Sequence, residues 1–540
     1  MNKRRFLAFL AVSALVASHP FAITQQTATQ HTLFEVSLDR AMQRPVSGRL
    51  IVFMERADLA KAEAHDGEAT QLDVDFLSPK NVAITAKEVR TLTPGSAVAV
   101  DADDVAFPVG FSHLPDGDYV VQALLDVDHT YNYLGRATGD IVSDVVSTHK
   151  SGAGFSPAPA LMLRNVISGE EAWNFGPHPP PSLAEARAAT KDIDFVSPVL
   201  TGFWGRPIHM RGWVVLPPEY EHGSNERYPT VFLTHGFGAN QARLTHTAAN
   251  IYDRMLNKKM PSMIWVLLDE SSATGTHEFA DSVNNGPWGQ ALTTELIPYL
   301  ESQYRMDGKP SGRFLTGHSS GGWATLWVQT HYPKIFGGTW STSPDPSDFH
   351  DFTGVDLYAP HANLYHRADG TAYPLVRDKG EVRATMEEFA HTEEVLGSYG
   401  GQFASFDWVF SPRAPDGRPM EMFNRETGDV DPAVVSYWRD HYDIAHYLQA
   451  NWPALKPDLD GKIHVIVGTA DTFYLDGAAH KLQGVLDGLH AKSSFRFLEG
   501  RTHMDLYRVG DDPRALEDTI AWEMYAVARP GSVRPASNAH

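Results

Sequence analysis

One serine lies in a setting that could make it a nucleophile. Ser319 is the central residue of the segment GHSSG at 317–321, which fits the pattern G-x-S-x-G. The apolar run 313–316 predicts a buried strand before it, and the residues from 322 onward predict a helix. A sharp turn between strand and helix exposes the hydroxyl near the helix N-terminus, whose dipole and free N–H groups favour developing negative charge. Because the pattern also occurs by chance, the hypothesis depends on this context.

A serine hydroxyl becomes a good nucleophile only beside a base, which predicts a histidine and an orienting carboxylate later in the chain. Asp471 follows the predicted strand 463–467, and His503 follows the predicted strand 495–498 in a glycine-containing loop. The separation of about 32 residues leaves room for one crossover helix between the two strands. His503 is therefore the candidate base and Asp471 the candidate acid.

Other carboxylates could orient the histidine instead of Asp471. Asp345 follows the strand-like run 338–341, and Asp476 and Asp505 lie near the two proposed loops. The choice among them depends on distances that a sequence does not contain. Asp345 is the main alternative to Asp471.

Acyl transfer also requires donors for the oxyanion of the tetrahedral intermediate. The backbone N–H of Ser320, directly after the nucleophile, is one candidate donor. The other is the N–H of Phe237, in the segment THGFG that follows the predicted strand 230–233. Gly236 would let the backbone approach the substrate closely.

Several segments resemble one known family. VVLPPEY and RYPTVFLTHGFG lie between residues 213 and 238, TTELIPYLESQYR covers 293–305, and RFLTGHSSGGWATL covers 313–326. GTADTFY at 468–474 and the loop 500–503 continue the resemblance. Together they are similar to the esterase D-like group of the α/β-hydrolase superfamily, which includes feruloyl, acetylxylan and siderophore esterases. The resemblance implies a triad of Ser319, Asp471 and His503, with Phe237 and Ser320 at the oxyanion hole.

The pattern along the chain predicts two domains. Short alternating runs between turn residues predict an all-β, sandwich-like N-terminal domain over 30–174. The proline-rich segment 175–183 is the predicted linker. Alternating strand and helix patterns then predict an α/β-hydrolase domain with a mostly parallel sheet over 184–528, followed by a tail at 529–540. An insertion at 344–460 is longer than expected in the family, and we expect it to form a lid or pocket wall.

The first residues predict export. Lys3, Arg4 and Arg5 precede an apolar stretch from Phe6 to Ala17, which is too short to span a bilayer and is typical of a signal peptide ending at residue 22. We therefore expect a periplasmic or secreted bacterial protein, with no stable membrane insertion after cleavage. The net charge of −21 argues against nucleic acid as a partner, because phosphate contacts need clustered Lys and Arg. The sequence is also compatible with assembly into a homo-oligomer.

No cofactor or metal is expected from the motifs. The chain has no cysteine, which excludes disulfides and thiolate ligands. His277 and Glu278 begin like the zinc motif H-E-x-x-H, but Asp281 stands where the second histidine should be. The expected activity is hydrolysis of a small-molecule or carbohydrate-linked carboxylic ester. A serine peptidase or amidase with the same triad, and an inert binding protein, are the alternatives.

Overall fold

A computed structural model describes residues 31–534, apart from 65–66, 170, 178, 222–224 and 533. The predicted signal peptide at 1–22 lies outside the described residues, as does most of the predicted tail. Within the described part of the chain, no helix combines the length and the apolar character needed to cross a bilayer.

Strands dominate the chain from Leu33 to Val166, where two short helices interrupt them. One sheet has the order β10-β1-β4, and a larger one has the order β11-β7-β6-β2-β3-β5, with β8 on β6 and β9 on β8. Alternate side chains of the long strands β2 and β6 fill a core between the sheets. The elements are β1 (Leu33–Leu38), β2 (Val46–Arg56), α1 (Ala57–Glu63), β3 (Val82–Leu92), β4 (Ala97–Asp101), β5 (Ala106–Phe107), β6 (Gly117–Asp126), α2 (Tyr131–Leu134), β7 (Ile141–Val142), β8 (Val146–Ser151), β9 (Gly154–Ser156), β10 (Leu161–Leu163) and β11 (Asn165–Val166).

An eight-stranded sheet forms the centre of the rest of the molecule, in the order β12-β13-β15-β14-β20-β21-β24-β25. The first two pairings, β12–β13 and β13–β15, are antiparallel, and the remaining pairings are parallel. The predicted, mostly parallel sheet is therefore present. Its strands are β12 (Thr190–Val196), β13 (His209–Val215), β14 (Thr230–Thr234), β15 (Ile264–Leu268), β20 (Arg313–His318), β21 (Gly338–Thr342), β24 (Ile463–Gly468) and β25 (Ser493–Leu498); the short strands β16 (Ser271–Ser272), β17 (Gly275–Thr276), β18 (Asp281–Ser282) and β19 (Gly286–Pro287) form two small hairpins.

Helices cover both faces of this sheet, which explains the continuous apolar runs of its strands. Val231 faces a core that includes α5 and α14, and its neighbour Phe232 faces a core that includes α8, α12 and α13. The helices outside the long connection after β21 are α3 (Leu183–Ala189), α4 (Pro198–Trp204), α5 (Leu244–Leu256), α6 (Trp288–Ala291), α7 (Ile297–Gln303), α8 (Ser320–His331), α13 (Asp476–Gly488) and α14 (Ala515–Ala528). Phe175, in the predicted linker, packs its ring 4.2 Å from that of His246 on α5.

The connection between β21 and β24 builds a substantial apolar core of its own. Phe406, Phe410 and Trp438 are buried in it and continue the core beneath α8. Near the end of α9, Val395 and Leu396 pack instead into a core of the N-terminal sheets. The connection contains β22 (Pro374–Asp378), β23 (Glu381–Thr385), α9 (Met386–Leu396), α10 (Gln402–Phe410), α11 (Pro432–His441) and α12 (Ile444–Leu459).

Candidate active site

Ser319 occupies the turn between β20 and α8. Its backbone has φ 60° and ψ −126°, a strained conformation for a residue with a side chain. A Cβ on Gly321 would lie 2.4 Å from the carbonyl oxygen of His235, and one on Gly317 would lie 2.2 Å from that of Gly321. Both glycines are therefore required where strand and helix meet, as the sequence predicts. The turn has the strand-turn-helix form that a nucleophile elbow requires.

Asp471 and His503 meet after the last two strands of the sheet. The Nδ1 of His503 lies 2.9 Å from Oδ2 of Asp471, and both side chains are buried. The other carboxylate oxygen, Oδ1, accepts a hydrogen bond from the N–H of Phe473 at 2.9 Å. Burial opposes the charge of Asp471, but His503 and the Phe473 N–H outweigh burial and lower the pKa of Asp471. The carboxylate can thus hold the imidazole with Nε2 directed away from it.

Ser319 and His503 line one cavity of about 670 Å³. Among the described residues, the hydroxyl of Ser319 donates to Oδ1 of Asp345 at 3.3 Å, and no hydrogen bond joins it to His503. That distance is long for an O–H···O bond, so the interaction is weak. Rotation about the Cα–Cβ bond can release the hydroxyl, and catalytic hydrogen bonds often shorten only once substrate is bound.

Asp345 is placed against the nucleophile rather than the base. Besides the Ser319 contact, its Oδ2 accepts a hydrogen bond from the hydroxyl of Ser320 at 2.7 Å. Burial raises the pKa of Asp345 to about 6, although the two serines and His503 oppose the rise. Asp345 is therefore suited to positioning the elbow.

The other two candidate acids have different partners. Asp476 pairs with Arg377 of β22 at 3.0 Å. Asp505 accepts hydrogen bonds from the N–H and the hydroxyl of Thr502, at 2.7 and 2.8 Å, and so shapes the loop that presents His503.

The loop after β14 lies directly beside the nucleophile. A Cβ on Gly236 would come within 3.3 Å of the Cβ of Ser319 and 3.1 Å of the His318 carbonyl oxygen. Among the described residues, the N–H groups of Phe237 and Ser320 donate to no protein acceptor. Phe237 also lines the cavity that contains Ser319, whereas Ser320 is fully buried.

His318 packs its ring on that of His503, with centroids 4.3 Å apart. Burial and the neighbouring charge of His503 lower the pKa of His318 to about 3. His318 therefore stays neutral at physiological pH and covers the base without competing for its proton.

Two buried glutamates, Glu270 and Glu278, interact electrostatically with Asp345, and no motif identifies Glu270. Burial raises the pKa of Glu270 to about 8 and that of Glu278 well above its ordinary value, and Asp345 adds to both shifts. Both oxygens of Glu270 lack a hydrogen-bond partner among the described residues. His277 and Glu278, which begin like the zinc motif in the sequence, are both fully buried. The elbow therefore lies close to buried carboxyl groups whose pKa values are raised.

Glu270→Gln is expected to remove a pH-dependent loss of stability. The folded protein retains the Glu270 proton to about pH 8, whereas an ordinary glutamate releases it near 4.5. Between these values the folded state binds more protons, so the contribution of Glu270 to the free energy of unfolding falls by about 1.4 kcal/mol per pH unit. Glutamine keeps the side-chain shape without this dependence. The difference in Tm, variant minus wild type, should grow from about pH 5 to about pH 8.

Glu381→Gln is the control, because Glu381 is exposed on β23. Its Tm difference from wild type should stay constant over the same range. A constant difference for Glu270→Gln as well would show that Glu270 is ionised in the folded protein.

Among the described residues, three groups of acidic and histidine side chains have ligand atoms close enough to surround a metal ion. In the group of Asp348, His350 and Asp443, the two aspartates already accept hydrogen bonds from the N–H groups of His350 and His446. These carboxylates are helix caps, and they line a cavity other than the one at Ser319. The remaining two groups are His31, Asp101 and Asp103, and Asp126, Asp128 and Asp140.

Solved structures to which this chain is similar include a ferulic acid esterase, at 14% sequence identity and a TM-score of 0.37, with 63% of this chain and 97% of that chain covered. An S-formylglutathione hydrolase from Staphylococcus aureus is 12% identical with a TM-score of 0.37, over 63% of this chain and 98% of that chain.

Sequence comparison identifies relatives over the middle of the chain. Residues 206–373 match the family model "Putative esterase". Esterases from two strains of Mycobacterium tuberculosis are 28% identical to this chain over 148 residues, which are 26% of this chain and 31% of each relative. The chain thus spans about a third of the length of these curated relatives. The family match and these relatives confirm the resemblance to esterases that the sequence motifs indicate.

Proposed function

We propose that this protein is a carboxylic ester hydrolase that uses Ser319 as nucleophile, His503 as general base and acid, and Asp471 as the orienting carboxylate. The observation that supports it most directly is the buried 2.9 Å contact between His503 and Asp471, beside an elbow serine that lines the same cavity as His503. The match of residues 206–373 to an esterase family supports the same chemistry.

In the first half of the reaction, the hydroxyl of Ser319 attacks the ester carbonyl carbon while its proton passes to Nε2 of His503. The carbonyl oxygen becomes an oxyanion, which accepts hydrogen bonds from the N–H groups of Phe237 and Ser320. Collapse of the intermediate breaks the bond to the alcohol oxygen, which takes the proton from His503. The acyl group remains on Ser319.

Water completes the cycle by the same steps in reverse order. His503 accepts a proton from water as the hydroxide adds to the acyl carbon. The new oxyanion again accepts hydrogen bonds from the two N–H groups. Collapse releases the carboxylic acid, and Ser319 recovers its proton from His503. Asp471 stays ionised throughout, consistent with its lowered pKa, and stabilises the imidazolium.

The proposed substrate is a small-molecule or carbohydrate-linked ester. The cavity volume of about 670 Å³ lies in the range of small-molecule sites. The net charge of −21 disfavours nucleic acid as a partner.

Fluorophosphonate labelling tests the nucleophile. The probe should modify the peptide that contains Ser319, and turnover of ethyl acetate should exceed that of small peptide anilides. Absence of labelling under conditions that label a known serine hydrolase would contradict the proposed mechanism. Faster cleavage of anilides would replace the esterase with an amidase on the same residues, because the amine leaving group needs only better protonation.

We also propose that the protein is exported. The basic residues at 3–5, followed by the apolar stretch 6–17, support this. Sequencing the N-terminus of the protein recovered from its native cell would test it, since an intact N-terminus in the cytoplasm would contradict export.

A further inference from the structure

The cavity at Ser319 has walls from three parts of the chain. The central-sheet part contributes Phe473 and the loop at Phe237, and the connection after β21 contributes aromatic rings such as Phe403. The N-terminal region closes the remaining side through Val74, Phe76 and Leu77 and through residues 132–135, which include Tyr133. A region more than 180 residues before the nucleophile in sequence therefore faces the nucleophile across one cavity.

Helix α2 of the N-terminal region braces the oxyanion loop. The hydroxyl of Tyr133 donates to the carbonyl oxygen of Ala239 at 2.8 Å, and its ring packs edge-on against Phe237 with centroids 4.8 Å apart. Arg243 donates to the carbonyl oxygen of Leu134 at 3.0 Å. These contacts fix the position of the N-terminal wall relative to the proposed oxyanion donors.

Helix α9 fixes the wall from its other side. Arg49 of β2 donates to the carbonyl oxygen of Val395 at 2.8 and 2.6 Å. Asn132 donates to the carbonyl oxygens of Glu393 and Gly397, at 3.1 and 2.9 Å. These hydrogen bonds to backbone oxygens hold the N-terminal region against α9. The shape of the cavity therefore depends on the N-terminal region.

We infer that the N-terminal sheet region is part of the substrate-binding site, and that residues 74–77 determine how large an ester the enzyme accepts. This inference rests on the proposed ester hydrolysis. We expect the occupant to be the bulky, uncharged apolar group of the ester, because Val74, Phe76 and Leu77 are apolar. The carboxyl of Glu393, which lines the same cavity, already accepts hydrogen bonds from the N–H groups of Gln402 and Phe403.

Phe76 packs against Phe389 of α9, with ring centroids 5.9 Å apart, so the wall and α9 form one apolar face of the cavity. The part of the cavity that Leu77 borders at this face is called the apolar slot. Charged groups would lose hydration there without a partner.

Leu77 allows a matched test. It lines the cavity and is 37% exposed, so a larger side chain can be tolerated without disturbing a core. Leu59 on α1 has the same side chain, is 39% exposed and does not line the cavity. Leu77→Trp narrows the slot, Leu77→Ala widens it, and Leu59→Trp and Leu59→Ala are the controls.

The substrates are ethyl acetate, ethyl 2-naphthoate and 2-naphthyl acetate, with acid release followed by pH-stat. For Leu77→Trp, kcat/KM on one naphthyl ester should fall at least about tenfold while ethyl acetate changes less than about twofold, as expected for a steric change in an apolar pocket. Leu77→Ala should keep or raise turnover of the bulky ester. A loss confined to 2-naphthoate assigns the slot to the acid part, and a loss confined to 2-naphthyl acetate assigns it to the alcohol part.

Binding separates this inference from the proposed chemistry. Calorimetry gives the Kd of the same naphthyl esters for Ser319→Ala, with and without Leu77→Trp. The comparison shows how the wall affects binding in the absence of turnover. Weaker binding with Leu77→Trp would support the wall even if the wild type hydrolysed no ester. The inference is overturned if Leu77→Trp matches Leu59→Trp in both turnover and binding, or if it lowers turnover of ethyl acetate as much as that of the bulky esters.

Discussion

Ser319→Ala is expected to reduce kcat for ester hydrolysis about a million-fold, to the level left by substrate binding and the oxyanion donors. In the proposed mechanism this hydroxyl bonds to the acyl carbon, and Ser319 is the residue between β20 and α8. Alanine leaves the Phe237 and Ser320 N–H groups in place, so KM should change little. Steady-state kinetics on the best ester found in the substrate series would measure both constants.

Ser347→Ala is the matched control for this variant. Ser347 is fully buried, like much of the site, but its hydroxyl has no hydrogen-bond partner among the described residues. Its removal should leave kcat within about threefold of wild type, because no interaction is lost. If Ser319→Ala retained activity comparable to this control, another residue would have to be the nucleophile.

Local patterns in the sequence were sufficient to locate the strands that end at the site. The predicted strands 463–467 and 495–498 are observed as β24 and β25, within two residues at each end. β24 is a buried apolar run, because a strand inside the sheet is covered on both faces, whereas β25 is half-buried at the sheet edge; a glycine-containing turn follows each strand. The order of acid and base along the chain followed from the same strands.

The assignment of contacts could not be made from the same patterns. Asp345 and Asp471 follow β21 and β24, which are neighbours in the sheet, so each would lie near the elbow. Only the structure places Asp471 on His503 and Asp345 on Ser319 and Ser320. Strand order limits the candidate acids to those that follow neighbouring strands at one edge of the sheet. Side-chain direction then decides between Asp345 and Asp471.

The pocket walls were the least predictable part. The chain between β21 and β24 shows no clear alternation of strand and helix, yet four helices lie there, α9 to α12. Their apolar residues pack in two directions, on α8 and on the N-terminal sheets. The apolar residues therefore do not form the single stripe by which a helix is recognised in a sequence. Tyr133 and Leu77 belong to no motif, and their position at the cavity depends on packing between distant segments.

Asp471→Asn is expected to reduce kcat about ten-thousand-fold, whereas Asp345→Asn should cost less than about tenfold. The asparagine amide at position 471 can donate to Nδ1 of His503, which favours the tautomer with its proton on Nε2 and leaves no acceptor for the Ser319 proton. At position 345, asparagine keeps an oxygen that accepts from Ser320. Because burial raises the pKa of Asp345 to about 6, the wild-type side chain is already neutral at acidic pH. Its replacement by a neutral amide should therefore change kcat little there.

The pH profile distinguishes a triad acid from a positioning carboxylate. Loss of Asp471 should depress kcat at all pH values at which His503 is neutral, because the tautomer is wrong throughout. Asp345→Asn should instead alter activity mainly above about pH 6, where the wild-type carboxylate becomes ionised and competes with His503 for the Ser319 hydroxyl. If Asp345→Asn were the variant with the large, pH-independent loss, the orienting acid would be Asp345, and the 2.9 Å contact of Asp471 with His503 would be structural.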